Sequence, residues 1–154
     1  MTNPIPSNYP RVSASLVIDG AAAAIDFYKS VFGATERMRI GAPDNRIGHA
    51  ELQVGDSVIM LSDEYPEMNI IGPRKVGGSP VVLNVYVEDV DAAFARAISL
   101  GAKVQREVQN QFYGDRSGQF EDPFGHRWNV ASHVEDVSDD EIERRAAQMM
   151  AAES

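Results

Sequence analysis

The sequence predicts an α+β fold of two tandem β-α-β-β-β modules followed by a C-terminal helix, and three observations carry that prediction. Sliding the chain along itself lays NRIGHAELQVGDSVIMLS, residues 45–62, over DRSGQFEDPFGHRWNVAS, residues 115–132, without a gap. Identities fall at Arg46/Arg116, Gly48/Gly118, Glu51/Glu121, Gly55/Gly125 and Ser62/Ser132. The same offset brings Val17, Asp19 and the alanine-rich run behind them onto Val87, Asp89 and Asp91-Ala-Ala, and both runs close on a Gly-Ala pair, at Gly33 and Gly101, across a two-residue indel. A match that keeps register through strand, helix, loop and hairpin marks a duplicated unit.

The elements follow in order. Residues 1–10, MTNPIPSNYP, read as a loose arm, with neither the basic start nor the apolar stretch of a signal peptide. The first module spans about 11–66 and opens with the β-rich run Leu16-Val17-Ile18. Asp19 signals a helix start, and Ile25, Tyr28 or Lys29, and Phe32 recur at helical spacing up to the stop at Gly33. Strands are expected near 35–40, 46–54 and 57–62, the last two joined by a hairpin turn at Gly55-Asp56. The second module, about 80–134, repeats this with a strand over Val81–Val87, a helix from Asp89 carrying Val90, Ala93 or Phe94, Ala97 and Leu100, and strands near 103–109, 117–121 and 127–132. The two modules together form a single domain over 11–134. In the tail, 135–154, Ser138-Asp-Asp-Glu141 reads as a capping box before an apolar stripe of Ile142, Ala146, Met149 and Met150, expected to dock on the body or on a second subunit.

Bulk composition narrows the function. With 44% hydrophobic and 24% charged residues and no apolar run near the roughly 18 that span a bilayer, a soluble, cytoplasmic protein is expected. There is no cysteine, so disulfides, thiolate zinc sites and cysteine nucleophiles are excluded. The net charge is −9, and the tail holds seven acidic residues against Arg144 and Arg145. No basic patch is available for a phosphate backbone or an anionic membrane, so neither is an expected partner. Glycines 41, 48, 77 and 78 make no phosphate loop, and no serine sits in a nucleophile elbow.

Strand alternation supplies the candidate site. With Gly55-Asp56 as the turn, Glu51 pairs with Met60 and His49 with Ser62, and paired residues share a face. A histidine two residues from a glutamate on one strand is a general base beside a carboxylate, a pair of unconventional metal ligands, or a hydrogen-bonded structural pair. In QNQFYGDRSGQF, Tyr113 is placed to stack on a ligand and Arg116 to hold an anion, with Asp115 orienting it; the match to Asn45-Arg46-Ile-Gly48 gives the alternative of a strand-entry turn. Tyr65, in the loop SDEYPEMN, is a further candidate contact or a surface turn. In DPFGHRWNVASH, alternation turns Asn129 one way with Arg127 and Ala131, and Trp128 with Val130 the other way into the core; His126 and His133 stand too far apart along the strand to meet one ion.

Two such modules, the helix ending IDFYKSVFGA, the hairpin HAELQVGDSVIMLSDE and the closing DPFGHRWNVASH together resemble the vicinal oxygen chelate superfamily of glyoxalase I, bleomycin-resistance proteins, fosfomycin-resistance enzymes and extradiol dioxygenases, across about residues 11–134. The closest likeness is to its glyoxalase-like branch of small bacterial proteins. The resemblance implies curved sheets around one shared cavity, a homodimer, a small-molecule ligand or substrate, and in its metalloenzymes four metal-ligand positions. Those positions fall here on Val12 or Ser13, Met60, Val82 and Asn129, none of them His, Asp or Glu. No metal cofactor is therefore expected at the usual place. The resulting expectation is a metal-independent small-molecule-binding protein, with Met60, Ser62, Tyr65, Tyr113, Arg116 and Asn129 as ligand contacts. The alternative is a glyoxalase-like lyase or isomerase in which His49 and Glu51 serve as acid–base groups or as unconventional metal ligands.

Overall fold

The computed structural model describes residues 2–153, which divide into two compact units. The first unit runs up to Pro80 and also takes in Pro123–His126; the second comprises Val81–Asp122 and the chain from Arg127 onward. In the first, β1 (Ala14–Ile18), α1 (Ala21–Phe32), β2 (Thr35–Gly41), β3 (Ile47–Val54), β4 (Ser57–Asp63) and the one-turn α2 (Pro73–Val76) follow in order. In the second come β5 (Val82–Tyr86), α3 (Val90–Ser99), β6 (Lys103–Asn110), β7 (Asp115–Glu121), β8 (Arg127–His133) and α4 (Asp139–Glu153). The two sheets have the same topology, β1-β4-β3-β2 and β5-β8-β7-β6, with the first strand parallel to the last and the other neighbours antiparallel. This is the β-α-β-β-β unit, twice, and the chain is α+β.

Each sheet gives one face to its helix. In the first unit Leu16, Ile18, Ala50, Leu52, Ile59 and Leu61 alternate inward, and Ala24, Ile25, Phe27, Tyr28 and Val31 of α1 are buried with them. In the second, Val85, Phe120, Trp128 and Val130 are buried with Val90, Phe94 and Ala97 of α3. The α3 helix lies so close to β7 that a Cβ on Gly118 would stand 2.9 Å from the Phe94 ring and 2.8 Å from Val108, which explains the glycine there. Trp128 is core, as expected, and its indole N–H donates to the buried carboxylate of Asp122 at 2.9 Å.

Several local expectations are corrected. Asp89 does cap α3, accepting from Ala92 N at 3.1 Å, but Asp19 does not cap α1. The residue before α1 is Gly20 at φ 99, and the amides of Gly20 and Ala21 donate instead to Asp63 Oδ1 at 3.2 and 2.8 Å, while Ile47 N donates to Asp63 Oδ2 at 2.6 Å. A carboxylate at the end of β4 thus replaces the local cap. The gapless repeat alignment also breaks at the second hairpin: β3 and β4 turn over two residues between Val54 and Ser57, whereas Glu121 pairs with Arg127 across five. The extra turn residues are the ones that belong to the first unit, where Phe124 packs edge-on against Phe27, His126 Nε2 bonds Val17 O at 3.0 Å, and Arg74 donates to Pro123 O.

The ends of the chain differ too. The arm is tied down at Asn8 and Tyr9, described below. In the tail, Ser138 Oγ accepts from Glu141 N at 3.2 Å, half of a capping box. The Glu141 carboxylate turns to Arg144 and Arg145 instead, which lower its pKa to about 2. Arg145 also donates to Phe112 O, so the first turns of α4 are fixed, while Met149 and Met150 of the expected stripe stay exposed.

Because Asp63 serves three backbone amides, Asp63→Ala is expected to cost about 1–3 kcal/mol. Asp19→Ala, which removes no cap, is expected to stay within about 0.5 kcal/mol. Urea unfolding midpoints of the two variants check the contrast.

Candidate functional site

Laterally paired residues share a face, so each sheet carries one defined row across its helix-free side. In the first sheet the row reads Ser15–Met60–Glu51–Met38, and in the second Asn84–Asn129–Gln119–Arg106. Met60 and Asn129, where the resemblance puts ligand positions on the closing strands, are therefore equivalent in the fold. Ser15 is the partner of Met60 on β1; Val12, 86% exposed, and Ser13 both lie before that strand. Val82 pairs with Arg127, two residues along from the Asn84–Asn129 pair.

Glu51 anchors the first row. Its side chain is buried, 4% exposed, and both oxygens are engaged: Tyr9 Oη donates to Oε1 at 2.8 Å, and His49 Nε2 lies 2.9 Å from Oε2. Arg37 completes the cluster. Its Nε is 4.0 Å from Oε1, its guanidinium stacks over the Tyr9 ring at 4.5 Å, and its Nη2 donates to Asn8 O at 3.0 Å. Arg37 stands where the β2–β3 register slips between Glu36 and Met38, and a bulge of this kind re-aims a side chain across a sheet. The bond to His49, then that to Tyr9, hold the Glu51 carboxyl below the ordinary carboxylate range against its burial, and the same carboxylate pushes the Tyr9 hydroxyl upward. Glu51 is thus an anion and Tyr9 a neutral donor. An ionised partner requires His49 Nε2 to carry the proton, which leaves Nδ1 as an acceptor in the neutral ring.

The remaining sequence candidates separate from this cluster. Ser62 keeps the face of Met60 and pairs with Val17, but the β3–β4 ladder ends at Ala50–Leu61, and His49 pairs with Ile40 rather than with Ser62. Tyr65 pins the loop after β4 by a two-way backbone pairing with Ile70, its ring covered by Arg46 at 4.3 Å. Tyr113 packs edge-on against Phe112. Arg116 is fully engaged: two bonds of 2.9 Å to Asp91 and one to Asn110 tie β7 to the start of α3. Asp115 does not orient it, because neighbours on a strand face opposite ways. Asp115 instead accepts from Tyr86 Oη at 2.7 Å and meets His133 Nδ1 at 2.9 Å, and His133 Nε2 meets Asp136 at 2.7 Å. This second carboxylate–tyrosine–histidine cluster was not anticipated from the sequence. Asn129 accepts from Arg106 Nη2 at 2.7 Å.

The residues present do not suit the divalent ion that the superfamily's metalloenzymes use. A thioether and a carboxamide stand at the closing-strand positions, and aliphatic or hydroxyl groups on the opening strands, where hard or borderline ions need imidazole and carboxylate. Among the described residues no three His, Asp or Glu side chains converge to hold an ion.

The two clusters respond to pH in opposite senses. Glu51, its pKa lowered in the fold from 4.5, adds stability that is complete above that value and lost as pH falls through the lowered one. His133, raised above 6.5 first by Asp115 and then by Asp136, adds stability that is complete below 6.5 and lost as pH rises through the raised value. Urea midpoints against pH should therefore lose the acid-side slope in Glu51→Gln and the neutral-side slope in His133→Gln.

Comparison with known proteins agrees with this architecture. An uncharacterized protein of Mycobacterium tuberculosis (strain ATCC 25618 / H37Rv) is 42% identical over 137 residues, 87% of this chain and 81% of that protein. An uncharacterized protein of Arabidopsis thaliana is 28% identical over 127 residues, 78% of this chain and 76% of that one. The fold is similar to TioX from Micromonospora sp. ML1, with TM-score 0.61 and 24% identity over 84% of this chain and all of that one. It is likewise similar to the genomically encoded fosfomycin resistance protein of Listeria monocytogenes, with TM-score 0.64 and 15% identity over 90% of this chain and 99% of that one. The family model described as Glyoxalase/Bleomycin resistance protein/Dioxygenase superfamily matches residues 12–130, and the chain belongs to that superfamily.

Proposed function

We propose that this chain is a small-molecule-binding protein of the glyoxalase/bleomycin-resistance type that works without the usual divalent metal. The observation that carries the proposal is the pair of equivalent rows. Where a metal-dependent member needs charged ligands on the closing strands, this chain presents Met60 and Asn129, flanked by hydrogen-bonding and apolar groups suited to an organic ligand. Met60, Ser62 and Asn129 are its first ligand contacts. Tyr65, Tyr113 and Arg116 serve as supports, since their rings and charges are already spent on neighbours. The reading takes the protein to be a homodimer, as the superfamily resemblance implies, and cytoplasmic, as the sequence composition leads one to expect. No helix of the described residues is long and apolar enough to cross a membrane.

One observation favours a second reading, a lyase or isomerase. The 2.9 Å bond from His49 to an anionic Glu51 fixes the imidazole and leaves one ring nitrogen able to take a proton from a bound substrate. In this reading Glu51 orients and His49 acts.

Elemental analysis of the purified protein, with a thermal-shift screen of small organic ligands in excess chelator, tests the first reading. The expected outcome is no stoichiometric metal and at least one saturable stabiliser whose effect weakens about tenfold or more in Asn129→Leu or Met60→Asp. Stoichiometric Zn, Mn, Ni or Fe lost in His49→Ala or Glu51→Ala would overturn it. Turnover of any ligand found, abolished by His49→Ala but retained in Tyr9→Phe, would move the protein to the second reading.

A further inference from the structure

Acidic residues outnumber Lys and Arg by 23 to 14 in this chain, so a basic side chain finds a carboxylate easily. Arg39, Arg46, Arg116, Arg144 and Arg145 each do. Not every basic residue does, and two that do not stand together on the helix-free face of the second sheet. Arg106 and Arg127 have no carboxylate within 4.0 Å among the described residues. Arg127 Nε is buried with no hydrogen-bond partner at all, and Glu121, its register partner on β7, stays out of ion-pair range. Leaving such a donor unmade costs the desolvation of the group, and more when the group is charged.

Both guanidiniums border the same residue. Arg127 lies two positions from Asn129 on β8, about 7 Å along the strand and on the same face. Arg106 reaches over from the edge strand, where register slips on both sides of it, and donates to Asn129 Oδ1 at 2.7 Å. With its oxygen held by Arg106, Asn129 presents its amide N–H groups, and Asn84 extends the row with a further carboxamide, while Gln119 Nε2 already donates to Gln105 Oε1 at 2.9 Å. Two unpaired cations beside a row of neutral donors are complementary to one class of group, a compact oxyanion.

We infer that this face holds a binding site for a small organic oxyanion, a carboxylate or a phosphate, gripped between Arg106 and Arg127 over Asn129. The inference rests on the metal-free reading above and deepens it: a fixed guanidinium supplies positive charge where that reading leaves a metal-ligand position without one. A carboxylate and a phosphate share the chemistry, and the test separates them.

The experiment follows the arginine Nε–H resonances of the full chain by NMR in excess chelator, titrated separately with inorganic phosphate, with acetate and with chloride at constant ionic strength. The expected result is saturable movement of the Arg106 and Arg127 signals with phosphate or acetate, the tighter of the two naming the oxyanion, and no saturation with chloride. Arg106→Gln and Arg127→Gln should each weaken it by about tenfold or more, with a urea midpoint that is not lowered, and Arg11→Gln should not weaken it. Linear drift alike for all three anions, or undiminished binding in Arg106→Gln, overturns the inference. Saturation that appears only after a divalent ion is added would instead overturn the metal-free reading. An organic ligand from the thermal-shift screen whose affinity survives Arg106→Gln, with phosphate and acetate both unsaturable, would overturn the oxyanion site and leave that reading standing.

Discussion

The parallel ladder between the opening and closing strands of each module is the constraint on which the rest depends. A parallel pair cannot be closed by a hairpin; the chain must cross over, and the helix that follows the opening strand lies on one face of the sheet. Once that face is taken, period-2 alternation commits every second residue of four strands to the other side. Sheet order 1-4-3-2 makes the closing strand interior, so its helix-side residues, Ile59 and Leu61 in one unit and Trp128 and Val130 in the other, must be apolar. The residues between them, Met60 and Asn129, are released from that demand and free to carry chemistry.

What was legible in the sequence follows from the same rule. Periodicity located every strand and three of the four helices to within a few residues, and turn chemistry at Gly55-Asp56 set the register that joins Glu51 to Met60. The Trp128 assignment followed from alternation alone. The repeat exposed the doubled architecture, but identity along an ungapped alignment did not guarantee equivalence in space: Glu51 lies in its row, while its counterpart Glu121 sits opposite Arg127. A five-residue turn absorbs the difference, and sequence identity is blind to that.

The misses share a physical cause. Tyr9 reaches Glu51 across 42 positions, Asp63 caps a helix that begins 42 positions earlier, and neither leaves a local pattern. Arg37 and Arg106 sit at register slips on edge strands, where strict alternation assigns a side chain to the wrong side. Arg116 shows how local composition leaves a role open: the polar, aromatic-rich segment offers it to a ligand, and in the fold its guanidinium also ties a strand to the start of a helix. A surplus of acids makes such engagement the ordinary fate of a basic residue here.

The arm that ends in Asn8 and Tyr9 lies outside every strand and helix, yet it supplies one of the donors that keep a buried anion ionised and props the cation beside it. Trimming the chain by ten residues would remove no element of secondary structure and still leave Glu51 short of a donor and Arg37 without the ring it stacks on. The sheet would stand while the protonation of its central carboxylate drifted upward. The segment that carries Asn8 and Tyr9 thus governs the chemistry of the first unit more than its fold.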